Sequence, residues 1–304
     1  QEVAGLHRRS RQGYRTRAYR SLKPGRKPSS FVASFYPRQP LFFPLHSLLL
    51  QRPSRGAAPS IDWLNRQAEA AGILTASGLP LRFVPPHGSG MSYEERVWWL
   101  GEVETRPGNW HDVFNAMVWL AFPMTKAAIN ACHHQAISAR RGEAKQDASV
   151  GQARGPLRDA LTQFDECGVV LVSSELAVWR DVCAHRWRRV FWDERARFVE
   201  TTRVFVFGHA TYDLLRSPHL GLCGKAVFMH VGPEWFARSP EELQADVDAS
   251  LRQRFEGDLV AQLRPRDFRP LPLLGIPGVI PENGHPEYYD DTRQFRPLRL
   301  VVSQ

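Results

Sequence analysis

The chain has 304 residues, 43% of them hydrophobic, enough for one large domain or two small ones around a buried core, and a formal net charge of +9. Residues 1–38 carry ten Lys or Arg (Arg8, Arg9, Arg11, Arg15, Arg17, Arg20, Lys23, Arg26, Lys27, Arg38) against Glu2 alone, which leaves 30 basic and 30 acidic residues elsewhere. The basic balance belongs to a tail, and it gives no reason to make the neutral body a nucleic-acid binder.

That tail is poor in large apolar residues and rich in Arg, Ser, Gly and Pro, so it cannot bury enough surface to offset its ordering entropy, and disorder is expected. Three roles fit it: an organelle-targeting peptide, a polybasic arm for nucleic acid or another polyanion, or a segment with no structural role. Cys132, Cys167, Cys183 and Cys223 form no C-x-x-C pair, which suits a reducing compartment. The longest apolar runs, at 41–50 and 116–124, fall short of the roughly 20 residues that span a bilayer. A soluble cytoplasmic protein is expected, with organelle targeting by the tail left open.

Residues 39–304 read as a single globular domain that begins near Phe35 with Pro-flanked aromatics (Phe42, Phe43, Pro44) before a short helix. Ser60 is a good N-cap for a helix through about Ala71, stopped by Gly72. "LRFVPP" and "YEERVWWLGEVET" read as strands, and Asn109 caps the helix after the "TRPGN" turn. The polar stretch "SARRGEAKQDASVGQARGP" separates these elements from "LTQFDECGVVLVS", a hairpin by pattern around "DECG". Residues 175–200 read as one helix with Trp187, Val190, Phe191 and Phe198 on its apolar stripe. "TTRVFVFGHATYDLLRSP" fits strand into helix or helix throughout, "GKAVFMHV" a strand, and 240–263 a helix. From Leu271 the Pro-rich end reads as an extended wrap. The class is α+β, leaning helical, without the regular alternation of a doubly wound sheet.

The stretch "NWHDVFNAMVWLAFPMTKAAINACHH" carries most of the candidate chemistry. Positions 110–122 are apolar nearly all round the wheel, so this helix is expected to be buried, and His111 and Asn115, at i and i+4, must find partners there. An unsatisfied buried polar group costs on the order of 1–3 kcal/mol. Pro123 suits the first turn of a second helix, on which Lys126, Asn130, His133 and His134 share one sector opposite a small apolar face. The plain reading puts that polar sector in water. The functional reading turns it toward His111 and Asn115, where His111, Asp112 and one of His133 or His134 could bind a divalent metal while Lys126 polarises a substrate.

In "GHATYD", a helix would put His209 and Asp213 on one face, as a ligand pair or as an imidazole oriented by a carboxylate. A core histidine satisfied by a backbone carbonyl or by Tyr212 is the plainer reading. Asp165 and Glu166 fall on the expected hairpin turn, where Asp is favoured for conformational reasons, and a catalytic role is the lesser reading. There is no G-x-x-x-x-G-K-S/T loop, G-x-G-x-x-G, H-E-x-x-H or G-x-S-x-G, which disfavours P-loop hydrolysis, dinucleotide binding, zincin chemistry and the hydrolase elbow. "HRWRRVFWDERARF" is interrupted by Asp193 and Glu194 and reads as a helix with a charged outer face rather than a nucleic-acid surface.

"LRFVPP", "YEERVWWLGEVETRPGNWHDVFNAMVWLAFPMTKAAIN", "LTQFDECGVVLV", "FVFGHATYDLL", "GLCGKAVF" and "LPLLGIPGVIPENGHPEYYDDTRQFRP" together resemble the bacterial family of domain of unknown function 3025 (DUF3025), over about residues 40–297. "GHALYE" is usual in that family where this chain has "GHATYD", so Asp213 stands for a longer carboxylate. The tail lies outside the resemblance, which implies the extent of the domain and no activity.

Taken together, the residues suggest a metal-dependent hydrolase. His111, Asp112 and His209 would bind or orient the reactive species, Asn115 would orient, Lys126 would stabilise negative charge and Asp213 would set the His209 tautomer. The alternative is a non-catalytic binding protein for a partner or nucleic acid. A further possibility makes His111, Asn115 and His209 a buried polar network that specifies the fold.

Overall fold

The computed structural model describes residues 39–53, 57–88, 90–146 and 155–298. The basic tail, the expected start near Phe35 and the segment 147–154 lie outside them. Pro40–Leu45 forms a 3-10 turn that runs into α1 (His46–Gln51). Ser60 accepts the Trp63 N–H to cap α2 (Ile61–Ala70), and Gly72 follows in the left-handed region at φ 59°. β1 (Arg82–Val84) pairs in parallel with β2 (Glu102–Glu104), Phe83 beside Val103.

Between these strands the expected long strand is instead α3 (Tyr93–Leu100). Ser92 and Glu95 form a reciprocal capping box, and Gly101 at φ 68° ends the helix, so two end signals outweigh the β preference of Val97, Trp98 and Trp99. α4 (Trp110–Ala121) is capped by Asn109 and buries every residue from Val113 to Trp119. Pro123 opens α5 (Pro123–Gln146), which carries helix through the first part of the expected polar linker. Asp248 fixes its start, accepting the Met124 and Thr125 N–H groups at 3.0 and 2.8 Å.

The hairpin reading is also corrected. Residues Pro156–Cys167 form α6, with Ala160, Leu161 and Phe164 buried at helical spacing, and only Gly168–Ser173 is a strand, β3. Asp165 and Glu166 therefore occupy the last turn of a helix. The expected helix over 175–200 is broken into α7 (Leu176–Cys183), a π-helical turn at Arg189–Asp193 and α8 (Arg195–Thr201), although all four stripe residues are buried. The next segment is strand into helix, β4 (Thr202–Val206) and α9 (His209–Leu215). β5 (Cys223–His230), α10 (Pro240–Glu256) and β6 (Arg269–Pro272) complete the elements.

The sheet order is β4-β3-β5-β6, with β3 antiparallel to β4 and parallel to β5, and β5 antiparallel to β6. β3 is buried along its whole length, as expected of a strand covered on both faces. Beyond β6 the C-terminal wrap is a series of 3-10 turns rather than extended chain, fastened where the Asn283 amide donates to the carbonyls of Leu274 and Ile276. Helices and sheet share one hydrophobic core in a helix-rich α+β fold. No described helix is long and apolar enough to cross a membrane.

Candidate functional site

The end of α6 and the start of α9 are brought together by the sheet. The N–H groups of Phe207 and Gly208 both donate to the Gly168 carbonyl, at 2.9 and 2.8 Å. Gly208 is needed for space: a Cβ there would meet the Glu166 carbonyl and lie 2.5 Å from the Cys167 backbone. His209, the first residue of α9, consequently lies against Asp165 and Glu166.

His209 Nδ1 is 2.8 Å from the Asp165 carbonyl oxygen, which can only accept, so Nδ1 carries the ring hydrogen and Nε2 presents a lone pair. That Nε2 faces His111 Nε2 at 3.2 Å and Glu166 Oε2 at 3.7 Å. Ligand atoms of His111, Glu166 and His209 all lie within 4.8 Å of one another. Two nitrogens on one tetrahedral zinc stand about 3.3 Å apart, given Zn–N bonds of about 2.0–2.1 Å, so the imidazole spacing fits a shared cation. Burial, reinforced by Lys126 and His111 against the opposing Asp165 carboxylate, pushes His209 down to about 4, so the ring is neutral near pH 7 and able to ligate. Burial also raises Glu166 above the ordinary carboxylate range, partly offset by His111.

Beside this cluster runs a hydrogen-bonded chain. Lys126 Nζ donates to Asp165 Oδ1 at 2.6 Å and to Asn115 Oδ1 at 2.8 Å; Asn115 Nδ2 and Trp119 Nε1 then donate to the Tyr93 oxygen at 3.2 and 3.0 Å. Burial penalises the Lys126 ammonium, but the Asp165 carboxylate outweighs it and holds the lysine charged, with its pKa above the ordinary value. Both groups belong to the wall of one cleft of about 560 Å³, together with His111, Asn115, Glu166 and His209.

The polar sector of α5 faces inward: Lys126, Asn130 and His133 are buried and line the cleft. Asn130 donates to the Glu94 carbonyl, and His133 Nδ1 lies 3.8 Å from Glu94 Oε1. His134 leaves that face and stacks on Trp98 at 4.2 Å. Asp112 lines the cleft but receives Arg106 Nε and Nη2 at 2.7 and 2.9 Å. Asp213 accepts from Arg216 at 2.7 Å, and the Tyr212 hydroxyl donates to the Val206 carbonyl at 2.6 Å, so the Asp165 backbone is the group that orients His209. Glu166 gained no ligand role from sequence because a hairpin turn hid its place at a helix end. Tyr93, in the misread strand, was missed altogether; the "SYEE" capping signal was the clue that it begins a helix.

Searches of curated proteins and of solved structures find no match to this chain. A family described as protein of unknown function, DUF3025, matches residues 81–299, which takes in every residue of the cluster and the chain beside it. With well over half its length matched, the protein belongs to the DUF3025 family.

Proposed function

We propose that this protein is a metal-dependent hydrolase in which His111, Glu166 and His209 hold a divalent cation. The observation that carries the reading is the convergence of two imidazole nitrogens and a carboxylate, with His209 oriented through its other nitrogen by a backbone carbonyl, the arrangement usual for metal-bound histidine. A bound cation would polarise a substrate carbonyl and make water a nucleophile near neutral pH. Lys126 stabilises negative charge on the substrate, and Asn115 orients the ammonium. Asp112 holds Arg106 at the cleft wall instead of serving as a ligand.

Charge narrows the substrate. Glu94, Glu104, Asp112 and Asp165 at the cleft are matched by Arg158, Arg96, Arg106 and Lys126, so the lysine and arginines there are already paired with carboxylates, which favours a neutral acyl group over a multiply charged phosphate. The test is elemental metal content of the full chain beside His111→Ala, His209→Ala and Glu166→Gln. One equivalent of metal, lost in all three variants, is expected; metal-free protein whose variants are only less stable would leave a structural polar network instead. We also place the chain in a reducing compartment such as the cytoplasm, supported by four unpaired cysteines.

A further inference from the structure

The hydrogens of the Lys126 chain can be assigned from one end to the other. An ammonium only donates, so the Asn115 oxygen must face Lys126, which turns Asn115 Nδ2 toward the Tyr93 oxygen. Trp119 Nε1, which also only donates, points at that oxygen. With two N–H groups on the phenolic oxygen, the hydrogen of Tyr93 is directed away from both. Tyr93 lines the cleft with 36% of its surface exposed, open to a ligand there. Its partner Asn115 is one helical turn from His111, and Tyr93 lines the same cleft as His111, Glu166 and His209.

We propose that Tyr93 is the proton donor of the site and that its substrate is an unactivated carboxylic ester or amide, an assignment that rests on the hydrolase reading above. Alkoxide and amine-derived anions are far more basic than a phenolate and leave much faster when protonated. Water oxygen forms the new bond to the carbonyl carbon. The bond to the leaving oxygen or nitrogen breaks with its electron pair on that atom, which takes the Tyr93 hydrogen. A proton of the attacking water returns to the phenolate, so acid and alcohol or amine are released and no redox partner is needed. Meanwhile the N–H groups of Asn115 and Trp119, with the Lys126 charge behind Asn115, stabilise the phenolate.

The experiment compares zinc-loaded full-length protein with Tyr93→Phe, which keeps the ring. Zinc content is measured first, then hydrolysis of 4-nitrophenyl acetate and of benzyl acetate, whose leaving group needs a proton. Tyr93→Phe is expected to lose about 100-fold or more on the benzyl ester and no more than about 5-fold on the nitrophenyl ester. Equal loss on both, or none, overturns the assignment. Calorimetric binding of acetohydroxamate to the zinc protein gives a readout that needs no turnover: about tenfold weaker binding by the variant is expected, and unchanged affinity overturns the assignment too. Wild-type protein that holds no zinc removes the hydrolase reading itself, whereas zinc bound normally with an unaltered leaving-group dependence removes only the role of Tyr93.

Discussion

The Nε2 atoms of His111 and His209 face each other at 3.2 Å, while the second ring nitrogen of His209 gives its hydrogen to the Asp165 carbonyl. Only a proton or a cation between the two rings satisfies both nitrogens. If a cation does so, it binds the folded state alone, and zinc at 100 times its dissociation constant adds about 2.7 kcal/mol. For a body of this size the melting temperature should rise by about 5 °C. A calorimetric scan with zinc, with chelator and with His209→Ala checks this: the rise should disappear in the last two. A zinc-independent melting temperature would mean that the rings share a proton.

Lys126 and Asp165 form a pair with side chains 3% and 17% exposed, so removing one partner strands the other charge in a low-dielectric wall. Lys126→Met and Asp165→Asn are each expected to destabilise the protein by about 3–5 kcal/mol, with the double variant less destabilised than the sum. Denaturant unfolding of all four proteins measures the coupling. Additive losses would show that the two charges do not depend on one another.

Part of this site was legible before the fold. The same-face spacing of His111 and Asn115, the Asn109 cap and the Lys126, Asn130 and His133 stripe all follow from helical periodicity. Which way the stripe points does not, because α3 and α6 pack over it, and the sequence pattern of both also fits strands. Short runs such as "LTQFDECG" and "RVWWL" fit either period, so tertiary packing and the capping box decided them. For that reason the sequence alone makes Glu166 a lesser candidate and gives Tyr93 no role: both depend on sitting at the end of one helix and the start of another.

Gly208 is where α9 touches the end of α6, and a Cβ there would lie 2.5 Å from the Cys167 backbone. Its φ of −61° suits any residue, so the constraint is space and not conformation. Gly208→Ala should destabilise by about 1–3 kcal/mol through overpacking. It should also weaken metal binding, since the backbone must shift between His209 and Glu166. Unchanged stability and unchanged metal affinity would show that the two segments can separate freely.

The helix that presents Tyr93 to the cleft is held by Glu95, which closes the capping box with Ser92 and meets Arg141. Hydrogen bonds from Arg141 and Ser92 lower its pKa below the ordinary 4.5. A depressed carboxylate pKa contributes stability that is fully present above the unfolded value and is lost as pH falls through the folded one. Glu95 is only 14% exposed while Arg141 is 65% exposed, so solvent screening keeps the contribution to about 1 kcal/mol or less. Glu95→Gln should therefore be slightly less stable than wild type at pH 7, and the gap should close as pH drops below 4.5 toward the folded pKa. Paired unfolding curves across that window measure it. A gap that stays constant with pH would place the loss in side-chain packing and not in the charge of the cap.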